Sequence, residues 1–226
     1  IKLAGGRLIS RDRKTKKVIW QSPANLKISA HYPVAANYGV LKLAGNAYAV
    51  IRLSDGKIMF NSGKKALAWP RVHRNTHRYY RGYINYDANS GCIQLRSQRP
   101  PYQVVYIQAA TGKVMFDGKM PNKRTYPMFI LGRELLLVRA SKARKVGKRT
   151  VYSGYAYRLM QSNGKFSPIT LPLKQDMKKG EDPRHFQPLR LPGMVVMFNR
   201  NKGRLLAYKS AGNAKSEAGT KKKKGK

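Results

Sequence analysis

One hairpin pattern recurs five times along this chain, and it restricts the fold more than any other feature. The copies read LISRDRKTKKVIWQS (Leu8 to Ser22), YAVIRLSDGKIMFNS (Tyr48 to Ser62) and VVYIQAATGKVMFDG (Val104 to Gly118). Two looser copies follow, YAYRLMQSNGKFSPI (Tyr155 to Ile169) and VVMFNRNKGRLLAYK (Val195 to Lys209). Each has an apolar or alternating strand, a polar turn, a Lys or Arg, and a second strand. Gly56, Gly112, Gly164 and Gly203 stand in four of the turns, and Lys16 takes that place in the first. Glycine supplies the positive φ that tight hairpins require. The cation after each turn is expected at a solvent-facing or RNA-facing edge.

Successive turns are separated by roughly 40 to 56 residues, the length a four-stranded propeller blade occupies. Between the hairpins lie further strand-like pieces, among them YGVLKLAG, GYINYD, GCIQLRS and MFILGRELLLVRA, so each interval has room for two more strands. Pro and Gly recur every few residues, and no sustained 3.6-residue apolar period is present. The chain is expected to be all-β, a propeller-like or partial-propeller array of hairpins over residues 1–209, with a basic tail over 210–226. A few unrelated hairpins in a mixed β fold are the alternative.

The hairpins AATGKVMFDG and RKTKKVIWQS resemble the repeat of quinoprotein-type (PQQ-like) β-propellers, whose blades close on Ala-x-Asp-x-x-Thr-Gly-x-x-x-Trp. The matching residues are Thr111, Gly112, Lys113 and Phe116, and Asp12, Thr15, Lys17 and Trp20. The resemblance covers about a third of the chain, only the hairpin of each repeat. The closing Trp is replaced by Phe60 and Phe116 in the next two copies and lost in the fourth. It implies a propeller scaffold. It brings no cofactor site, because an adjacent cysteine pair is absent and acidic metal ligands are scarce.

Charge decides the class of partner. The sequence has 47 Lys and Arg against 9 Asp and Glu, a formal charge of +38 spread along its length. Self-repulsion on that scale opposes a compact free state, so the chain is expected to live against a polyanion, of which nucleic acid is the commonest. With 42% apolar residues and 14 Tyr there is material for a core. No stretch approaches the ~20 apolar residues of a spanning helix. Cys92 is the single cysteine, which excludes a disulfide framework and a thiolate zinc site. The first residue is Ile1; a processed N-terminus, such as one left by a cleaved organellar presequence, would look like this.

Catalytic sets are not legible. Asp12, Asp55 and Asp117 are in or beside hairpins, where turn chemistry accounts for them. Glu181 and Asp182 share a loop, where a salt bridge explains them better than paired acid–base work. Nucleophile elbows, phosphate loops and dinucleotide fingerprints are missing. His73 and His77 have a metal-ligand spacing, but Arg71, Arg74, Arg78 and Arg81 around them disfavour a bound cation. No catalytic residue, cofactor, metal or small-molecule substrate is expected.

The stretch RVHRNTHRYYRGY is instead a nucleic-acid contact candidate. Arg71, Arg74, Arg78 and Arg81 would pair with phosphates, while His77 and Tyr79 would stack on unpaired bases. RASKARKVGKR (Arg139 to Arg149) follows a strand and is expected to protrude as a hairpin or loop between repeats, carrying Lys142, Arg144, Lys145, Lys148 and Arg149. NKRTY (Asn122 to Tyr126) and DRKTKK (Asp12 to Lys17) are shorter basic runs. The tail's Lys221, Lys222, Lys223 and Lys224 would neutralise phosphates without reading sequence. The expectation is a non-enzymatic rRNA-binding structural protein of a mitochondrial ribosome, in the matrix, with rRNA and neighbouring ribosomal proteins as partners. The alternatives are a basic virion protein and a propeller module for an acidic protein partner.

Overall fold

In the computed structural model, each copy of the hairpin forms the last two strands of an antiparallel sheet. The structure describes residues 1–35, 37–68, 83–97, 99–100, 102–122, 124–131, 135–147, 149–182, 185–191 and 194–209. Strands β1 (Lys2–Ala4), β2 (Arg7–Arg11) and β3 (Val18–Gln21) make the first sheet. The second contains β4 (Ile28–Ala35), β5 (Tyr38–Leu43), β6 (Tyr48–Arg52) and β7 (Ile58–Asn61). The third contains β8 (Ile84–Asp87), β9 (Cys92–Arg96), β10 (Gln103–Gln108) and β11 (Val114–Lys119). The fourth contains β12 (Thr125–Ile130), β13 (Leu135–Val146), β14 (Arg149–Gln161) and β15 (Phe166–Leu171). The fifth contains β16 (Phe186–Leu191), β17 (Met194–Asn199) and β18 (Arg204–Lys209).

All five are meanders in which sequence neighbours pair, so the fold is the all-β, propeller-like array of repeated hairpins that the sequence implies. The chain divides into two compact units, Ile1–Leu171 with the first four sheets and Pro172–Lys226 with the fifth.

The turns are built the same way in the first four repeats. Gly56, Gly112 and Gly164 have φ of 73°, 73° and 81°, and Lys16 takes the same left-handed conformation at 60°. The residue before each accepts a hydrogen bond from the residue after it. Lys57 N donates to Asp55 Oδ1 at 3.1 Å, Lys113 N to Thr111 Oγ1 at 3.3 Å, and Lys165 N to Asn163 Oδ1 at 2.8 Å. Lys17 N reaches Thr15 Oγ1 at 3.4 Å. A short polar side chain, a left-handed residue and a cation thus recur because they close one compact turn.

The turns of the second, third and fourth repeats each seat on the preceding sheet. A Cβ on Gly56 would come within 2.6 Å of the Trp20 ring, and Trp20 Nε1 donates to Leu53 O at 3.0 Å. A Cβ on Gly112 would meet Met59 O at 1.7 Å, and one on Gly164 would meet Lys119 O at 3.0 Å. The aromatic residues closing the first three hairpins, Trp20, Phe60 and Phe116, all pack in the cores between sheets.

Between the first and second sheets, Leu8 and Trp20 meet Ile28, Leu41, Ala49 and Ile51. Between the second and third, Val40, Tyr48 and Val50 meet Ile93, Leu95, Val105 and Ile107. Between the third and fourth, Tyr106, Phe116 and Met120 meet Ile130, Val138 and Met160. Val40 and Leu41 are adjacent yet enter different cores. A sheet covered on both faces needs continuous apolar runs instead of alternation, which is why YAVI and VVYI read as they do.

Candidate nucleic-acid interface

Meander topology gives each sheet two distinct ends. The tight hairpin turns lie at one, together with the first connection of each four-stranded sheet. The second connection lies at the other end, where the chain also passes from one sheet to the next; this is the link end. The links of the first unit therefore leave Gln21, Asn61 and Lys119 and enter Ile28, Ile84 and Thr125 at one end of the sheets. A groove of about 240 Å³ opens there, lined by Asn25, Lys27, Ala44, Asn61 and Gly63 among others.

Of the three basic runs that fall largely on described residues, NKRTY and RASKARKVGKR belong to that end. The link from β7 to β8 contains Arg71, Arg74, His77, Arg78, Tyr79 and Arg81, all outside the described residues, as are Lys148 and Lys221, Lys222, Lys223 and Lys224. That link rejoins the third sheet at Tyr83, whose carbonyl accepts from Arg96 N at 2.7 Å. The NKRTY run is the link into β12. The DRKTKK run is at the opposite end, as the turn of the first hairpin, so the structure does not bring it together with NKRTY or RASKARKVGKR.

The RASKARKVGKR segment is a two-stranded ribbon. It joins the second and third strands within the fourth sheet, whereas the sequence points to a place between repeats. β13 and β14 stay paired from Leu135↔Gln161 out to Val146↔Arg149, with a bulge between Ser141 and Lys142 where the register shifts by one residue. β12 pairs with β13 only as far as Ala140, and β15 pairs with β14 only from Tyr157 onward. Lys142, Arg144 and Lys145 stand opposite Ser153, Val151 and Thr150, and Arg149 stands opposite Val146, all beyond the flanking strands. At ~3.3 Å per residue the ribbon projects on the order of 20 Å from the link end.

At its base is a cluster that the sequence does not announce. Cys92, Gln94 and Arg96 alternate along β9 toward the fourth sheet. Arg96 is 7% exposed, and its Nη2 donates to Thr125 O at 3.1 Å. Its guanidinium lies 4.7 Å from the ring centre of Tyr126, and that of Arg139, opposite Tyr126 in register, lies at 5.4 Å. Tyr126 itself is 41% exposed. Burial pushes the Arg96 guanidinium below its ordinary value, and the neighbouring Tyr83, Tyr126 and Tyr106 act the other way. The one signal in the sequence is an arginine at an inward-facing position of an apolar strand, in CIQLR.

The acids are engaged elsewhere. Asp12 Oδ1 accepts from Lys14 N, Thr15 N and Thr15 Oγ1, and the Thr15 N–H chiefly holds this carboxyl below its usual range. Asp55 pairs with Arg52, which brings its pKa down to about 2. Asp117 is on β11, not in a turn, and pairs with Lys65 while accepting from Gln103 Nε2 at 2.7 Å.

In the second unit Glu181 forms the loop salt bridge expected of it, with Arg204. Arg204 is the cation after the fifth turn, so it is ion-paired and not free at an edge as its counterparts are. Lys17, Lys57, Lys113 and Lys165 are exposed. Among the described residues there is no group of three or more potential metal ligands, and no helix is long and apolar enough to cross a membrane.

No family model matches this sequence, and no curated protein matches it. Solved structures similar to it include the computationally designed Ika4 protein, at 10% identity over 80% of this chain and 90% of that one, with a TM-score of 0.33. BamB from Moraxella catarrhalis is similar at 10% identity, over 91% of this chain and 68% of that one, with a TM-score of 0.34. Hydrazine synthase of Kuenenia stuttgartiensis is similar at 11% identity, over 91% and 71%, with a TM-score of 0.29. At scores this low, the fold rests on the chain's own strand pairing.

Proposed function

We propose that this chain is a non-enzymatic RNA-binding scaffold, and in its narrowest form a structural component of a mitochondrial ribosome bound to rRNA in the matrix beside other ribosomal proteins. The observation that carries the reading is the two-stranded ribbon of β13 and β14, with its basic positions, rising from the link end beside Arg96, Tyr126 and Arg139. The sheets form the support, and the ribbon's basic positions lie where β13 and β14 run past the strands that flank them. Cationic side chains neutralise phosphates and release their counterions, so affinity falls steeply with salt. Isolating the native particle and sequencing its RNA is the direct test. Recovery of rRNA with this chain supports the reading; a particle free of RNA, or one holding viral genomic nucleic acid, overturns it.

A further inference from the structure

Tyr126 puts a large aromatic ring on the surface of a highly cationic chain, at the base of a charged ribbon. Two guanidiniums, from Arg96 and Arg139, are held against that ring. Arg96 is a fixed backing, since it is buried and tied to the Thr125 carbonyl. Arg139 stands directly across the strand pair from Tyr126 and next to the buried Tyr157. A guanidinium is planar and stacks on aromatic faces, so phenol and guanidinium together offer a base an electron-rich ring beside a planar cationic group.

We propose that Tyr126 and Arg139, backed by Arg96, form a stacking subsite for one unpaired nucleobase of single-stranded RNA, an assignment that rests on the RNA-binding reading above. Every base has a π-face, so the subsite tolerates any sequence. It requires the base to be unpaired, because a base inside a duplex shows only its edge. Phosphate contacts from the ribbon hold the strand in place and carry the salt dependence. The subsite therefore distinguishes single strand from duplex, a distinction that lysine contacts alone do not make.

The test uses the full chain with a short single-stranded RNA and a duplex of equal length, titrated at several salt concentrations. Tyr126→Ala lowers single-strand affinity about tenfold, the usual scale for removing one base–aromatic stack. It leaves duplex affinity and the salt slope unchanged, and Tyr126→Phe restores wild-type binding. Equal losses on single strand and duplex, no loss at all, or a loss that Phe does not repair each overturn the subsite. If the wild-type chain binds RNA with a steep salt slope while Tyr126→Ala is neutral, the broader reading stands and the subsite falls. If the wild-type chain binds neither RNA, both fall. Should Tyr126→Ala fail to fold, photo-cross-linking of thiouridine-substituted single strands to the unaltered chain decides: a cross-link at Tyr126 supports the subsite, and its absence among mapped cross-links overturns it.

Discussion

Gly112 lies so close to Met59 that a Cβ added to the glycine would come within 1.7 Å of the Met59 carbonyl oxygen. The turn of the third hairpin is pressed onto the last strand of the second sheet, and backbone meets backbone with no side chain able to yield. Two demands fall on one residue, a φ of 73° and the absence of a side chain.

Gly112→Ala should therefore cost more than about 3 kcal/mol, adding overpacking between sheets to the left-handed strain. Gly63, with φ of 61° and open space within 4 Å of where a Cβ would stand, carries only the strain. Gly63→Ala should cost about 1–2 kcal/mol. Chemical denaturation of the two variants checks the ordering, and equal losses would mean that the turn does not seat between sheets.

Lys16 occupies the left-handed position that glycine fills in the later repeats. Lys16→Gly should raise stability by about 1 kcal/mol by removing that strain. The side chain's exposed bond to Arg13 O is a small loss against it. A lower denaturation midpoint in Lys16→Gly would contradict the shared turn geometry.

The pH profile should have two steps. Burial lowers the pKa of His31 from its ordinary 6.5. The unfolded chain then binds more protons below that value, so this contribution to stability is full above pH 6.5 and declines as pH falls below it. Asp55, at about 2 against 3.8, contributes fully above its unfolded value and loses that contribution as pH falls toward 2. Thermal melts from about pH 7.5 down to about pH 2 should show both declines, with His31→Gln removing the upper one and Asp55→Asn reducing the lower, to which Asp12 and Glu181 also contribute.

The hairpins are legible in the sequence because their chemistry is local: Asp55–Gly56, Thr111–Gly112 and Asn163–Gly164 announce a turn without reference to the rest of the chain. The link end is not, because the end on which a basic run falls depends on counting strands and their directions. RASKARKVGKR reads as a hairpin or loop between repeats; its place inside the fourth sheet is hidden because the continued pairing of β13 and β14 past their neighbours is a long-range property. Arg96 escapes notice because an arginine in an apolar run gives no sign of which neighbouring sheet it will reach. Arg204 reads like the other turn cations, and only the loop that brings Glu181 to it sets it apart.

Replacing Lys142, Arg144, Lys145 and Arg149 together by Gln should leave the sheets folded, since these positions lie beyond the strands that flank the ribbon. RNA affinity should fall at every salt concentration. The slope of log affinity against log salt should flatten by about 0.7 to 0.9 for each phosphate no longer neutralised. An unchanged slope would show that the ribbon does not touch the backbone of the nucleic acid.

The most direct measurement is cross-linking of bound RNA in the native particle, mapped by mass spectrometry to individual residues. The exposed Lys17, Lys57 and Lys113 at the turn end serve as an internal control, being charged and accessible but at the opposite end of their sheets from the links. RNA cross-links should cluster on the ribbon and around Tyr126, and be sparse at those three lysines. Cross-links concentrated at the turn-end lysines, or none to RNA at all, would contradict the account.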